Sequence, residues 1–279
     1  MIGGYFHVVT KGWSVMELHV NLLWAAGSFL LGAIIGSFLN VVIARVPVGQ
    51  SIVYPPSHCP ECRQEIRWYD NVPILSYFML LGRCRDCGGR ISIRYPLIEF
   101  VLACMSLGLY LKYDLSPAFG VFFIFTAAMV AIFWIDLDHM IIPDVISLNG
   151  TVIGLAIVTA GLLPGLTWKD SFIGLALGAL ILYIPAVVYE RIRGVEGLGG
   201  GDIKLLAMIG AFLGPYGVIF VLFFASFIGS LAALGGIALR RTASSSPIPF
   251  GPFLTAAAIL YVFAGQEMVE QFIELSRVF

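Results

Sequence analysis

The sequence predicts an all-α polytopic membrane protein with about eight transmembrane helices and a small cytoplasmic, zinc-ribbon-like loop domain. Charged residues make up only 12% of the 279 residues, about half the share usual for a soluble domain. The mean hydropathy is +0.94, and the apolar residues gather in long runs. Two Cys-x-x-Cys pairs lie in the polar stretch after the first run. The formal net charge of -1 gives no indication of nucleic-acid binding.

Eight apolar segments account for the predicted membrane helices. Most approach the ~20 residues that cross a bilayer, whereas the sixth and the eighth are shorter. The first is long and rich in glycine, which suits close packing against another helix. In chain order the segments are Val20–Ala44, Leu97–Leu111, Ala118–Ile135, Val145–Leu163, Phe172–Tyr189, Ile203–Leu213, Tyr216–Leu239 and Phe253–Ala264.

Lysine and arginine residues set the expected orientation. Most fall on the side that receives the polar stretch after the first segment, and cytoplasmic loops carry such an excess. We therefore expect that stretch to be cytoplasmic and both termini to be extracytoplasmic. The cytoplasmic side receives Arg45, Arg63, Arg67, Arg83, Arg85, Arg90, Arg94, Arg191, Arg193, Lys204, Arg240 and Arg241, and the opposite side Lys11, Lys112, Lys169 and Arg277.

These boundaries predict five parts of the chain. The parts are an extracytoplasmic segment (1–19), the first transmembrane helix (20–44), the cytoplasmic loop domain (45–96), a transmembrane domain (97–265) and an extracytoplasmic tail (266–279). The loop domain has about 50 residues, too few to build a sufficient apolar core alone, so it is expected to need a further stabilising element.

The cysteines of the loop supply such an element. Cys59-Pro-Glu-Cys62 and Cys84-Arg-Asp-Cys87 are separated by 21 residues, just beyond the usual spacing of a zinc ribbon. Each short pair presents two sulfurs to one metal, and four thiolates make a closed tetrahedral site with no open position for catalysis. A reducing cytosol disfavours disulfides. We therefore predict a structural zinc ion held by these four cysteines.

The residues alone leave other interpretations of the cysteines open. They could be two redox pairs or unreactive thiols, and His58 could replace one ligand. Cys104, in the second apolar segment, is expected to be buried and inert.

Two aspartates are the candidates for chemistry. Asp136 directly follows the apolar run Ala131–Ile135, and Asp202 opens the sixth segment on the same predicted side of the membrane. Two neighbouring carboxylates can share one proton, so that one deprotonates a water while the other polarises a carbonyl. Such a pair suits peptide hydrolysis without a metal. The bland interpretation, charges that mark helix ends, fits Asp144 and remains open for Asp138.

Glycines surround the second aspartate. Gly199 and Gly201 precede Asp202, and glycine allows a tight bend and a close approach of a peptide strand. We expect these two glycines to support substrate entry or to act as a hinge. The sequence shows no Ser-His-Asp arrangement and no His-Glu-x-x-His motif for another hydrolytic mechanism.

Five motifs together resemble one family, the bacterial type IV prepilin peptidases, which are intramembrane aspartyl proteases with a Gly-x-Gly-Asp motif. In order they are Gly36–Pro47, the paired cysteines, Asp136–Asp144, Gly199–Asp202 and Pro249–Phe253. The resemblance runs from about Val20 to Ala264 and implies that Asp136 and Asp202 are the catalytic pair. It also implies that Asp138 and Asp144 are not, and that Cys59, Cys62, Cys84 and Cys87 bind zinc.

The resemblance also implies a substrate and a second activity. Members of the family cut a short basic leader from prepilins or pseudopilins, after a glycine, at the cytoplasmic face of the inner membrane. Many then methylate the new amino terminus with S-adenosylmethionine. No residue of this sequence is assigned to the methyl donor, because no glycine-rich nucleotide motif is visible.

Two other functions are weighed against the peptidase. Glycine-interrupted helices and carboxylates at the membrane edge also suit an ion or solute transporter, which would carry more charge deep in its helices. A structural assembly factor with a zinc-stabilised loop would tolerate loss of both aspartates.

Overall fold

The computed structural model describes residues 15–195, 197, 199–238 and 249–278. Lys11, Arg240 and Arg241, which contribute to the predicted orientation, and Leu239, the last residue of the seventh predicted segment, lie outside these ranges, as does most of the predicted segment 1–19. The described parts are helical, with two isolated β-bridges and no strand. This confirms the predicted all-α class.

The membrane helices follow the predicted apolar segments. Within the described ranges, six helical spans are long and apolar enough to cross a membrane, and Asp144–Thr159 is apolar but shorter. The helices are α1 (Val15–Arg45), α2 (Leu75–Met79), α3 (Arg94–Tyr113), α4 (Pro117–His139), α5 (Asp144–Thr159), α6 (Trp168–Arg193), α7 (Gly200–Ala238), α8 (Gly251–Leu260) and α9 (Gln266–Val278), with a π-helical turn Tyr261–Gly265 between the last two.

Helix α7 combines the sixth and seventh predicted segments. Its backbone leaves helical geometry at Gly214, where φ is 70° and ψ is -175°, and Pro215 follows. A Cβ on Gly210 would lie 2.9 Å from a Val218 side-chain carbon, although eight residues of straight helix span ~12 Å. The chain therefore turns sharply at Gly214, because glycine tolerates the positive φ and proline supplies no N–H. Two arms result, as predicted.

Glycines allow α1 and α3 to pack closely. A Cβ on Gly32 would lie 2.6 Å from the Ala103 Cα, and one on Gly36 would lie 2.7 Å from the Glu99 Cα. No larger residue fits at these two positions unless the helices separate, and this confirms the predicted packing role for Gly32 and Gly36. A Cβ on Gly27, the third glycine of the segment, would meet nothing within 4 Å.

The predicted burial of Cys104 is wrong. Its side chain is exposed on α3, on a helix whose buried residues include Leu102, Ala103 and Ser106. An apolar run does not distinguish a face that contacts lipid from a face that contacts protein, because both are apolar.

Helix α4 lies at the centre of the core. It is apolar around its whole circumference, as expected of a helix surrounded by others, and it contacts α1, α3 and α8. Phe125, Met129, Ile132 and Ile135 are almost completely buried along it. The helix therefore forms a fixed support for its last turn, which carries Asp136.

Candidate active site and metal centre

Asp136 is a buried carboxylate at the end of α4. Its side chain is in the last turn and the residue is only 5% exposed. The helix ends at His139, and Met140 adopts a left-handed conformation whose N–H donates to the Asp136 carbonyl oxygen. A buried carboxylate needs hydrogen-bond donors or a protonated partner, since desolvating the charge is costly.

Gly251 lies directly against this carboxylate. A Cβ on Gly251 would lie 2.5 Å from Asp136 Oδ2, closer than a carbon and an oxygen can approach. Only glycine therefore fits between this helix start and the carboxylate. The sequence analysis quoted Gly251 within the motif Pro249–Phe253 but assigned no role to it.

Asp202 lies in the first turn of α7, which begins at Gly200. Its N–H donates to the Gly199 carbonyl oxygen at 3.2 Å. A carboxylate is favoured there, because the unpaired N–H groups of a helix start give that end a partial positive charge. The carboxylates of Asp136 and Asp202 are close enough to interact electrostatically, so the two sequence candidates lie in the same region of the structure.

Ile142 links the two sides of this aspartate pair. A Cβ on Gly201 would lie 3.1 Å from the Ile142 Cβ, and one on Gly251 would lie 3.2 Å from the Ile142 Cδ1. The Ile142 side chain therefore fills the space between the start of α7 and the start of α8, both of which approach it through a glycine. Sequence reasoning missed Ile142, which is one apolar residue among many.

The glycines before Asp202 differ in their roles. Gly199 precedes the helix, whereas Gly201 is inside its first turn and packs against Ile142. Neither has a positive φ. The close approach of Ile142 thus explains a glycine at position 201. The hinge role stays a prediction.

Asp138 and Asp144, which the sequence analysis set aside, each bind a cation. Arg94 Nη1 lies 2.6 Å from Asp138 Oδ2, and Lys204 Nζ lies 2.7 Å from Asp144 Oδ1. Asp144 also starts α5, the helix-end position that the sequence favoured. Both carboxylates are neutralised by a fixed partner, unlike Asp136 and Asp202, for which the described residues show no ion pair.

The arrangement suits acid–base chemistry on a peptide. Two carboxylates that interact electrostatically titrate as a pair, so one can be protonated while the other is ionised. In that state the ionised carboxylate can take a proton from water, and the protonated one can donate a hydrogen bond to a carbonyl oxygen.

The four predicted metal ligands form one cluster. Their Sγ atoms all lie within 4.8 Å of one another, with Cys59 to Cys87 at 3.9 Å and Cys62 to Cys84 at 4.0 Å. Four sulfurs at 2.3 Å from a tetrahedral zinc would be ~3.8 Å apart. The donor set therefore fits zinc. His58 is outside the cluster, and its Nδ1 lies 3.1 Å from the Pro56 carbonyl oxygen.

The two cysteine pairs have the same backbone geometry. Cys59 N–H donates to the Gln64 carbonyl and Cys84 N–H to the Gly89 carbonyl, while the fourth residue after each cysteine, Arg63 or Gly88, donates back to it. Both Arg63 and Gly88 have a positive φ. The backbone N–H of Cys62, followed by that of Glu61, lowers the pKa of the Cys59 thiol to about 7. This favours the thiolate that binds metal.

An ion pair joins the second cysteine pair, Cys84 and Cys87, to the rest of the loop. Arg85 donates from Nε to Asp70 Oδ2 at 2.8 Å and from Nη2 to Oδ1 at 2.6 Å. This bidentate bond holds the pKa of the Asp70 carboxyl below its usual value.

Comparisons with known proteins agree with this organisation. A family model described as the bacterial peptidase A24 N-terminal domain matches residues 30–113, and one described as the type IV leader peptidase family matches residues 123–234. Both aspartates lie in the second range and all four cysteines in the first. No solved structure matches.

Three relatives, each described as a prepilin leader peptidase/N-methyltransferase, illustrate the similarity. The protein of Aeromonas hydrophila is 34% identical over 93% of this chain and 98% of its own length. That of Myxococcus xanthus is 40% identical over 81% of this chain and 66% of its own length. That of Pseudomonas aeruginosa is 32% identical over 89% of this chain and 93% of its own length.

Proposed function

Since the chain belongs to the type IV leader peptidase family, we propose that it is an inner-membrane aspartyl endopeptidase that removes the leader of type IV prepilins or pseudopilins and then methylates the new amino terminus. The observation that supports the peptidase assignment is that Asp136 and Asp202 are near enough to interact electrostatically, with Gly251 and Ile142 packed beside them. Nothing in the described residues or in the relatives favours a transporter.

The proposed hydrolysis uses the aspartate pair as acid and base. Asp202, in the partly exposed first turn of α7, is the side that water and substrate reach first. The ionised carboxylate removes a proton from a water, which attacks the scissile carbonyl, while the protonated carboxyl donates to the carbonyl oxygen. The proton taken from the water then passes to the leaving nitrogen. Gly251, packed against the Asp136 carboxyl, limits its movement throughout.

The proposed site lies at the cytoplasmic face. Asp136 ends α4 and Asp202 begins α7, so both lie where apolar helices meet polar loops. The arginine-rich loop that ends at α3 is on this same side, because Arg94 binds Asp138. Positively charged loops are cytoplasmic. A substrate with an apolar helix in the bilayer would present its cleavage site at this depth.

Zinc would be held by the four clustered cysteines and would fold the loop. With four protein sulfurs the site is closed, so the metal supplies conformational stability and no chemistry of its own.

A cavity of about 460 Å³ suits the methyl donor. It lies between α1 and the loop, and its lining includes Ser37, Arg45, Trp68 and Asn71, within the N-terminal matched range. Its volume is that of a typical cofactor site. Arg45 can bind a carboxylate, the 83% exposed Trp68 offers an uncovered aromatic face for a purine, and Asn71 can hydrogen-bond to it. S-adenosylmethionine has both a carboxylate and a purine, and it supplies an electrophilic methyl group.

Cleavage of a membrane-inserted prepilin tests the peptidase assignment. We expect Asp136→Asn and Asp202→Asn each to abolish cleavage while zinc content and thermal stability are kept, because asparagine preserves shape and removes ionisation. Asp114→Asn is the matched control and should cleave like the wild type. Asp114 follows the C-terminal end of α3, whereas the N-terminal end of α3 contacts the turn that carries Asp136. Near-normal cleavage by either site variant would remove that aspartate from the mechanism.

The cavity has its own test. Trp68→Ala should weaken binding of S-adenosylmethionine, measured by calorimetry on the zinc-loaded protein, and should lower methylation while cleavage is unchanged. Unchanged binding would exclude the cavity as the methyl-donor site.

A further inference from the structure

We propose that Arg94 is a positioning residue for Asp136, and that it fixes the rotation of the last turn of α4. The inference rests on the proposed peptidase function, since it concerns the placement of one member of the aspartate pair. Arg94 is the first residue of α3 and directly follows the loop that carries the cysteines. Nothing in its sequence context marks it among the other arginines.

Arg94 contacts two residues of α4. Its Nη1 lies 2.6 Å from Asp138 Oδ2, and its Cζ lies 4.2 Å from the centroid of the Trp134 ring. Residues four apart lie on the same face of a helix, so one guanidinium contacts two successive turns. An ion pair and a cation–π contact act together on this face.

Asp136 projects from the other face of the same turn. Two residues advance ~200° around a helix, so Asp136 points nearly opposite to both Trp134 and Asp138. Rotation of this turn by ~20° would move a carboxylate ~6 Å from the helix axis by ~2 Å. A misplacement of ~1 Å at a reacting group can cost ~100-fold in rate. The contacts of Arg94 therefore set where the carboxylate points.

Arg94 restrains the end of α4 beyond the buried part of the helix. The helix stops at His139, and Met140 takes a left-handed conformation, so no further helical turn holds this end in place. Arg94 also carries a cost that stability alone does not explain, because its Nη2 is buried without a hydrogen-bond partner. Buried donors without partners are unfavourable, and exceptions of this kind tend to occur at functional sites.

Arg94 also connects the two matched parts of the chain. Among the ion pairs of the described residues, the Arg94–Asp138 pair is the one that joins residues 30–113 to residues 123–234. This ion pair thus connects the end of the cysteine loop to the turn that holds Asp136.

The test is the cleavage kinetics of Arg94→Ala, Arg94→Lys and Asp138→Asn. We expect Arg94→Ala to lower kcat ~10–100-fold with KM changed less than ~3-fold, and to shift the pH profile of kcat. Arg94→Lys, which keeps the charge, should recover most of the rate. Combining Arg94→Ala with Asp138→Asn should lose little more than either change alone, because both remove the same contact.

Lys112→Ala is the matched control. Lys112 pairs with Glu267 of α9 at 3.4 Å. This interhelical ion pair lies at the opposite end of α3 from Arg94. The variant should lower thermal stability without changing kcat or the pH profile. If Arg94→Ala changes kcat no more than Lys112→Ala, or if its effect adds to that of Asp138→Asn, the positioning role is overturned. Loss of activity in Asp136→Asn together with full activity in Arg94→Ala would reject this inference and leave the proposed function intact.

Discussion

Lys204 Nζ lies 2.7 Å from Asp144 Oδ1 and 2.9 Å from Asp144 Oδ2. The pair joins the first turn of α7, which carries Asp202, to the first residue of α5. Both side chains are largely exposed, so the ion pair stabilises the fold little. Its importance is in the direction of Asp202, two residues before the lysine.

We therefore expect Lys204→Gln to lower kcat a few-fold while the melting temperature stays nearly constant. The physical reason is that a loosened first turn lets Asp202 sample positions away from Asp136. Cleavage kinetics together with a thermal melt measure the two effects. A large fall in melting temperature with unchanged kcat would show that the pair is only structural.

Gly251→Ala should lower the rate of leader cleavage by more than ~100-fold. The added Cβ would lie 2.5 Å from Asp136 Oδ2, so either the carboxylate or the start of α8 must move. Gly235→Ala in α7 is the control, because a Cβ there meets nothing within 4 Å. Rates of leader removal by the two variants, at equal zinc content, decide the matter. Equal rates would mean that the site tolerates the displacement.

Arg63→Gly should strengthen metal retention. Arg63 has a φ of 60°, and a residue with a side chain pays ~1–2 kcal/mol in that region. Gly88 occupies the equivalent position with a φ of 73°, so Gly88→Ala should weaken retention for the same reason. The measurement is zinc loss to a chelator. If zinc loss changed in the same direction in both variants, the two cysteine pairs would not be equivalent.

Asp70 should make the loop sensitive to acid. Its folded pKa is below the ordinary value because Arg85 hydrogen-bonds to the charged form. A lowered pKa contributes stability that is present above the unfolded value, ~3.9, and that is lost as the pH falls through the folded value. Asp70→Asn should therefore lower the melting temperature of the protein at pH 7, and the difference from the wild type should shrink below about pH 4. A difference that does not depend on pH would mean that the charge of Asp70 contributes nothing.

The sequence predicted much of the fold because each membrane helix is encoded by one contiguous stretch of the chain. Each span needs its own apolar run, so the eight segments could be read in order, and even the break between the two arms of α7 was visible at Gly214 and Pro215. The four-cysteine cluster was predicted for a similar reason, since metal-ligand spacing is a local pattern.

Contacts between distant residues could not be read in this way. Ile142, Gly251 and Arg94 act on the aspartates across four different helices, and a single sequence does not say which of many isoleucines, glycines and arginines lie nearby. Cys104 was misjudged because lipid and protein interior select the same apolar side chains.

The sequence by itself therefore determined the class of the protein, the order of its apolar segments, the cysteines that cluster and the two aspartates as candidates. The tertiary structure alone decided that these aspartates lie near enough to interact electrostatically, that glycines at two helix starts admit Ile142 between them, and that Arg94 contacts the face of α4 opposite Asp136. The physical reason is that apolar periodicity and ligand spacing depend on neighbours along the chain. The direction of a carboxylate depends instead on which helices pack against its own.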